Sequence, residues 1–69
     1  RAYFALARIR LSQGNLQGAE GWIVSALQKR PRRAEYHSLY ATVLEGLGRR
    51  EEAAKARARA KVLRNERSE

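Results

Sequence analysis

The sequence predicts an all-α fold built of antiparallel helical hairpins, and three observations predict it. Apolar residues recur at steps of three and four along successive stretches of the chain, the spacing that gathers side chains onto one face of an α-helix. These stretches are separated by helix-stopping residues, Gly14, Pro31 and Gly48, with connections short enough to force neighbouring helices antiparallel. Shifting the sequence by thirty-four positions lays it onto itself: Ala7 falls on Ala41, Gly14 on Gly48, Ala19 on Ala53 and Ala26 on Ala60, and the apolar pairs Leu6/Tyr40 and Ile9/Val43 agree. A period of this size is the signature of stacked helical repeats. Two units follow, about 1–33 and 34–69, with helices expected over about 1–13, 15–29, 33–46 and 50–65.

The first helix carries Tyr3, Leu6, Ala7 and Arg10 on one stripe and Phe4, Arg8 and Leu11 on another. A helix apolar on two sides is either sandwiched between neighbours or lines a groove. Gly14 suits the left-handed conformation just past its end, and Asn15 is placed to cap the next helix. In that second helix Leu16, Ala19, Trp22, Ile23, Ala26 and Leu27 share one face, leaving Gln17, Glu20, Ser25 and Gln28 outside. The small Ala19 and Ala26 let another helix come close. Trp22 is expected to pack in the core rather than stack on a ligand. Gly18 and Gly21 are weak points, each costing about 1 kcal/mol against alanine in a helix interior; they mark either close helix approach or a locally soft helix. The helix ends by Arg30, because the residue before Pro31 is pushed out of the helical region.

From Arg33 the pattern restarts. Tyr36, Leu39, Tyr40, Val43 and Leu47 form the expected buried stripe, with His37 and Leu44 flanking it and Glu35, Ser38, Thr42 and Glu45 on a polar opposite face. His37 is the only histidine and has no partner at metal-ligand spacing, so a packed or half-exposed ring is expected. Glu51 and Glu52 fall in the first turn of the fourth helix, where carboxylates suit the positive end of the dipole. That helix, about Arg50 to Arg64, keeps a thin stripe of Ala53, Ala56, Ala60 and Leu63, and Arg57 stands where Ile23 stands one unit earlier. A terminal repeat needs a polar outer face because nothing stacks on it. The tail from Asn65 onward has no apolar residue and is expected to fray.

Composition narrows the function classes. A chain of 69 residues buries only roughly 60% of its unfolded surface. It begins at Arg1 inside an apolar run, and two units are fewer than the three or so that stacked repeats need. Further repeats are therefore expected upstream, with self-association through the open N-terminal end as another way to cover it. There is no cysteine, hence no disulfide and no thiolate metal site, and the compartment is left open. No apolar run approaches the length of about 20 residues that a membrane span requires. The net charge of +8 lies in Arg30, Arg32 and Arg33 around Pro31, in Arg49 and Arg50, and along the last helix. The first group complements a helix C-terminus. The last is interleaved with alanines, whereas single-strand binders place stacking rings between their cations; nucleic acid is not the expected partner. With no nucleophile–base pair, phosphate-cradling glycine loop or metal constellation, the segment is expected not to be an enzyme and to hold no cofactor.

These residues resemble a pair of tetratricopeptide repeats. The pattern W-x2-L-G-x2-Y…A-x3-F…P is met by Tyr3, Leu6, Ala7, Ala19, Ile23 and Pro31, with Gly14 and Ala26 at further favoured positions, and then by His37, Tyr40, Ala41, Leu44, Gly48, Ala53 and Ala60. The departures are Arg10 in place of an aromatic, Arg57 in place of a large apolar residue and Asn65 in place of proline. The last two agree with an end cap, and Arg10 is expected to meet an upstream repeat. The resemblance implies a right-handed α-solenoid whose first helices line a concave groove for a peptide or partner protein. Groove residues carried over position by position are Arg1, Phe4, Arg8, Leu11 and Ser12, then Glu35, Ser38, Thr42 and Glu45. Family members that clamp a C-terminal carboxylate use a lysine and an asparagine one turn apart; Phe4 and Arg8, then Ser38 and Thr42, stand in those places, so that clamp is not supported. The implied function is a protein–protein interaction module at the end of a longer scaffold. In it Phe4 and Leu11 supply apolar contact, and Arg8 a charged hydrogen bond to an acidic or carboxyl-terminal group. The alternative is a basic helical module that binds nucleic acid or another anionic surface through the last helix.

Overall fold

The computed structural model describes the backbone of residues 2–68 and the side chains of residues 2–66. The fold is all-α: α1 (Ala2–Ser12), α2 (Leu16–Lys29), α3 (Ala34–Gly46) and α4 (Arg50–Ser68), with no strand among the described residues. None of these helices is long and apolar enough to cross a membrane.

The two hairpins are closed by the same device. Gly14 and Gly48 have φ of +80° and +84°, the left-handed region that a side chain makes costly. Around each, the helix end folds back identically. The Gly14 N–H donates to the Leu11 carbonyl at 3.0 Å and the Asn15 N–H to the Arg10 carbonyl at 2.8 Å; in the second unit Gly48 donates to Glu45 at 3.0 Å and Arg49 to Leu44 at 2.9 Å. These are the paired bonds of a Schellman turn, which satisfy carbonyls the helix leaves open. The units differ one residue later. Asn15 caps α2 by accepting the Gly18 N–H at 3.0 Å. Arg49, in the corresponding place, instead reaches back to Glu20 of α2 at 2.6 Å and ties the second turn to the first hairpin.

Each helix packs mainly on the next in the chain: α1 on α2, α2 on α3, α3 on α4, with a lesser contact between α1 and α3. Among the helices, α4 packs only on α3. Alanines make these contacts close: Ala7, Ala19 and Ala41 are fully buried, and Ala53 nearly so. One core cluster joins Ala7, Ile23, Ala26 and Tyr36 across α1, α2 and α3, and a second joins Ala41, Leu44, Ala53 and Ala56 across α3 and α4. Trp22 is half-buried against the first cluster, its ring 5.6 Å from that of Tyr3.

Two expectations need correction. Leu44, placed on the flank of α3, is fully buried, whereas Leu39, Tyr40 and Leu47 of the expected stripe are half-buried. Helix α3 has neighbours on two sides, so Tyr36 is buried toward α1 and α2 while Ala41 and Leu44 are buried toward α4. Nor does the C-terminal stretch leave the helix near residue 65, for α4 runs to Ser68. Leu63 is buried and Glu66 pairs with Arg32 of the α2–α3 connection, so the last turns have both a packing contact and a tether.

Candidate partner-binding face

Sequence reasoning placed the binding face on α1 and α3, and the two halves turn out to be chemically unlike. On α1, Phe4 stacks on Tyr36 of α3 with centroids 4.7 Å apart and planes within 22°. Such offset pairs hold two helices together beyond the area they bury. The Arg8 guanidinium lies 6.0 Å from the Phe4 centroid, at the outer edge of cation–π reach. One helical turn separates the two residues, which is what places the cation over the ring. Leu11 is half-buried, and the Ser12 hydroxyl donates to the Ile9 carbonyl at 2.7 Å. Arg1 lies outside the described residues.

The α3 half is polar and cross-tied to α4. Ser38 Oγ accepts from Arg64 at 3.1 Å, Glu45 forms an ion pair with Arg57, and the Thr42 hydroxyl donates to the Ser38 carbonyl at 3.2 Å. Glu35 is exposed at the start of the helix. The hydrogen bond from Arg57 holds the Glu45 carboxyl below the usual carboxylate range and raises the Arg57 guanidinium in turn. Thirty-four residues relate Phe4 to Ser38, Leu11 to Glu45 and Ile23 to Arg57. Where the first unit has apolar groups to bury, the second has groups that satisfy one another in water.

Sequence reading missed three features of this region. The Phe4–Tyr36 stack joins residues on different faces of different helices, and no spacing rule announces it. Arg64 closes the expected fourth helix with no partner named for it, yet its place two turns after Arg57 is the available signal that both reach the same side of α3. The Arg10 guanidinium donates to Gln13 Oε1 at 3.1 Å, a local bond three residues along the chain. Elsewhere, Lys29, Arg30, Pro31, Arg32 and Arg33 line a concavity of about 520 Å³ at the α2–α3 connection. There His37 Nε2 lies 2.8 Å from the Pro31 carbonyl, so the ring fastens the loop to α3. Among the described residues no cluster of three His, Asp or Glu side chains could hold a metal.

No protein-family model matches the chain, and neither does any curated protein or solved structure with which it was compared.

Proposed function

We propose that the chain is a protein–protein interaction module of the tetratricopeptide kind: two hairpin units stacked as a right-handed α-solenoid, the second capped by α4, with the α1–α3 face binding a peptide or partner protein. The observation that carries this reading is the repetition of one turn at an interval of thirty-four residues, Gly14 and Gly48 left-handed with the same bonded carbonyls around each. The alanines at matching positions, Ala7 and Ala41, Ala19 and Ala53, are buried alike. The nearest-neighbour order of helix contacts is what a stacked repeat requires.

On this reading the α1 half does the binding. Phe4, braced by Tyr36, offers a rigid apolar surface, Leu11 extends it, and exposed Arg8 supplies directional hydrogen bonds to a carboxylate. The basic α4 is the source of the alternative reading, binding to nucleic acid. It has no aromatic ring on which a base could stack, and Arg57 and Arg64 are engaged on α3.

A peptide array carrying free and amidated C-termini, followed by titration of the best ligand, tests the proposal. Arg8→Ala is expected to weaken binding by about 1.5 kcal/mol or more without moving the melting temperature, while Lys61→Ala changes neither. Lost stability with unchanged affinity would make Arg8 structural and put the binding site elsewhere.

A further inference from the structure

A second surface lies on the other side of α3. Because α2 and α4 do not touch, a groove of about 300 Å³ opens between them, floored by the half-buried Leu27 and Tyr40 with the buried Leu44 beneath. Its size is at the lower end of ligand clefts, room for one or two side chains rather than a cofactor. Ala56 keeps the α4 wall low, and Lys55 and Arg59 stand on its rim.

The cations on this rim differ from Arg57 and Arg64 of the same helix. Arg57 and Arg64 are bonded to Glu45 and Ser38. Lys55 and Arg59, one turn apart, make no hydrogen bond or ion pair among the described residues, and both are exposed. Glu52 is the one acidic residue of the rim and lies at the end away from Arg59.

We infer that this groove docks an acidic amphipathic segment of a partner protein. Its apolar side chains enter between α2 and α4, and its carboxylates, one helical turn apart, pair with Lys55 and Arg59. Glu52 sets the polarity, so the acidic end of the segment lies toward Arg59. Charge complementarity selects this occupant: the chain carries +8, and an apolar floor beside two unengaged cations matches the acidic and apolar faces of such a helix. A nucleic acid would meet the cations but leave the floor uncovered. This surface is separate from the α1–α3 face, and each can fail without the other.

The test uses a fluorescein-labelled peptide, Glu-Leu-Leu-Glu-Glu-Leu-Leu-Glu-Glu-Leu, and its counterpart with lysine for every glutamate, followed by fluorescence anisotropy. The acidic peptide is expected to bind and the lysine peptide not to. The double variant Lys55→Glu with Arg59→Glu, and the milder Lys55→Ala with Arg59→Ala, should bind about tenfold more weakly or worse with unchanged helical circular dichroism. Arg50→Glu with Lys61→Glu removes the same charge from the opposite side of α4 and should bind as the parent does, while Arg8→Ala reports separately on the α1–α3 face. Equal losses in the two charge-reversed pairs would reduce the binding to net charge and overturn the inference. Loss in Arg8→Ala alone would move the peptide to the α1–α3 face, with the same result. Full displacement by a single-stranded oligonucleotide at matched concentration would identify the rim as a phosphate-binding surface and equally overturn it.

Discussion

At the scale of single residues, the glycines separate positions that the sequence leaves alike. Gly18 and Gly21 both interrupt α2, and either close helix approach or a soft helix would account for them. A Cβ at Gly18 would stand 2.6 Å from the Asn15 side-chain amide, so the space is taken by the cap of the helix's own first turn and not by a neighbouring helix. A Cβ at Gly21 would meet nothing within 4 Å. Gly21→Ala should therefore stabilise the fold by up to about 1 kcal/mol. Gly14→Ala, which forces a side chain into the left-handed region, should cost roughly 1 to 2 kcal/mol. Urea denaturation of the two variants and the parent measures both, and a destabilised Gly21→Ala would mean that its position on α2 is covered.

Between elements, the Glu45–Arg57 contact of the α3–α4 pair makes stability depend on pH. The Arg57 hydrogen bond lowers the Glu45 pKa in the folded state relative to the unfolded chain. A depressed carboxylate contributes stability that is fully present above its ordinary pKa and is lost as pH falls through the lowered value. Glu45→Gln cannot titrate and removes this contribution at every pH. The melting temperatures of parent and variant should thus differ at neutral pH and converge in acid, the other carboxylates cancelling in the comparison. Both partners are exposed, so the difference is expected to be small and to shrink with added salt. A gap that widens in acid would mean that Glu45 is not stabilised by Arg57.

Across the whole molecule, the contrast lies between matched positions of the two units. Ile23 is fully buried beneath α3, while Arg57, thirty-four residues on, is exposed and paired with Glu45. Ile23→Arg should unfold or aggregate the protein, because it buries an unpaired charge in the first core cluster. Arg57→Ile should fold but self-associate in sedimentation, because it adds an apolar group to an open face and strands Glu45. An Arg57→Ile variant as monodisperse as the parent would argue that the α4 flank is not a cap. At the other end Ile9, at 49% exposure, matches Val43, which is fully buried. The outer side of α1 thus presents uncovered the position that α3 buries.

The sequence by itself determined the all-α class, the places where the first three helices stop, the left-handed glycines and the thirty-four-residue correspondence between the two hairpins. All of these rest on short-range chemistry: the 3.6-residue period, the φ a glycine tolerates, and the carbonyls a turn must satisfy. It also marked Arg57 as a departure from its counterpart. Only the tertiary structure decided that Leu44 is buried, that Phe4 rests on Tyr36, that Arg64 reaches Ser38, and that Glu66 in the last turns of α4 pairs with Arg32. Periodicity says which residues share a face of a helix. Which neighbour covers that face, and what a long arginine reaches across the gap, depends on how the helices cross, and that is settled by packing between residues far apart in the chain.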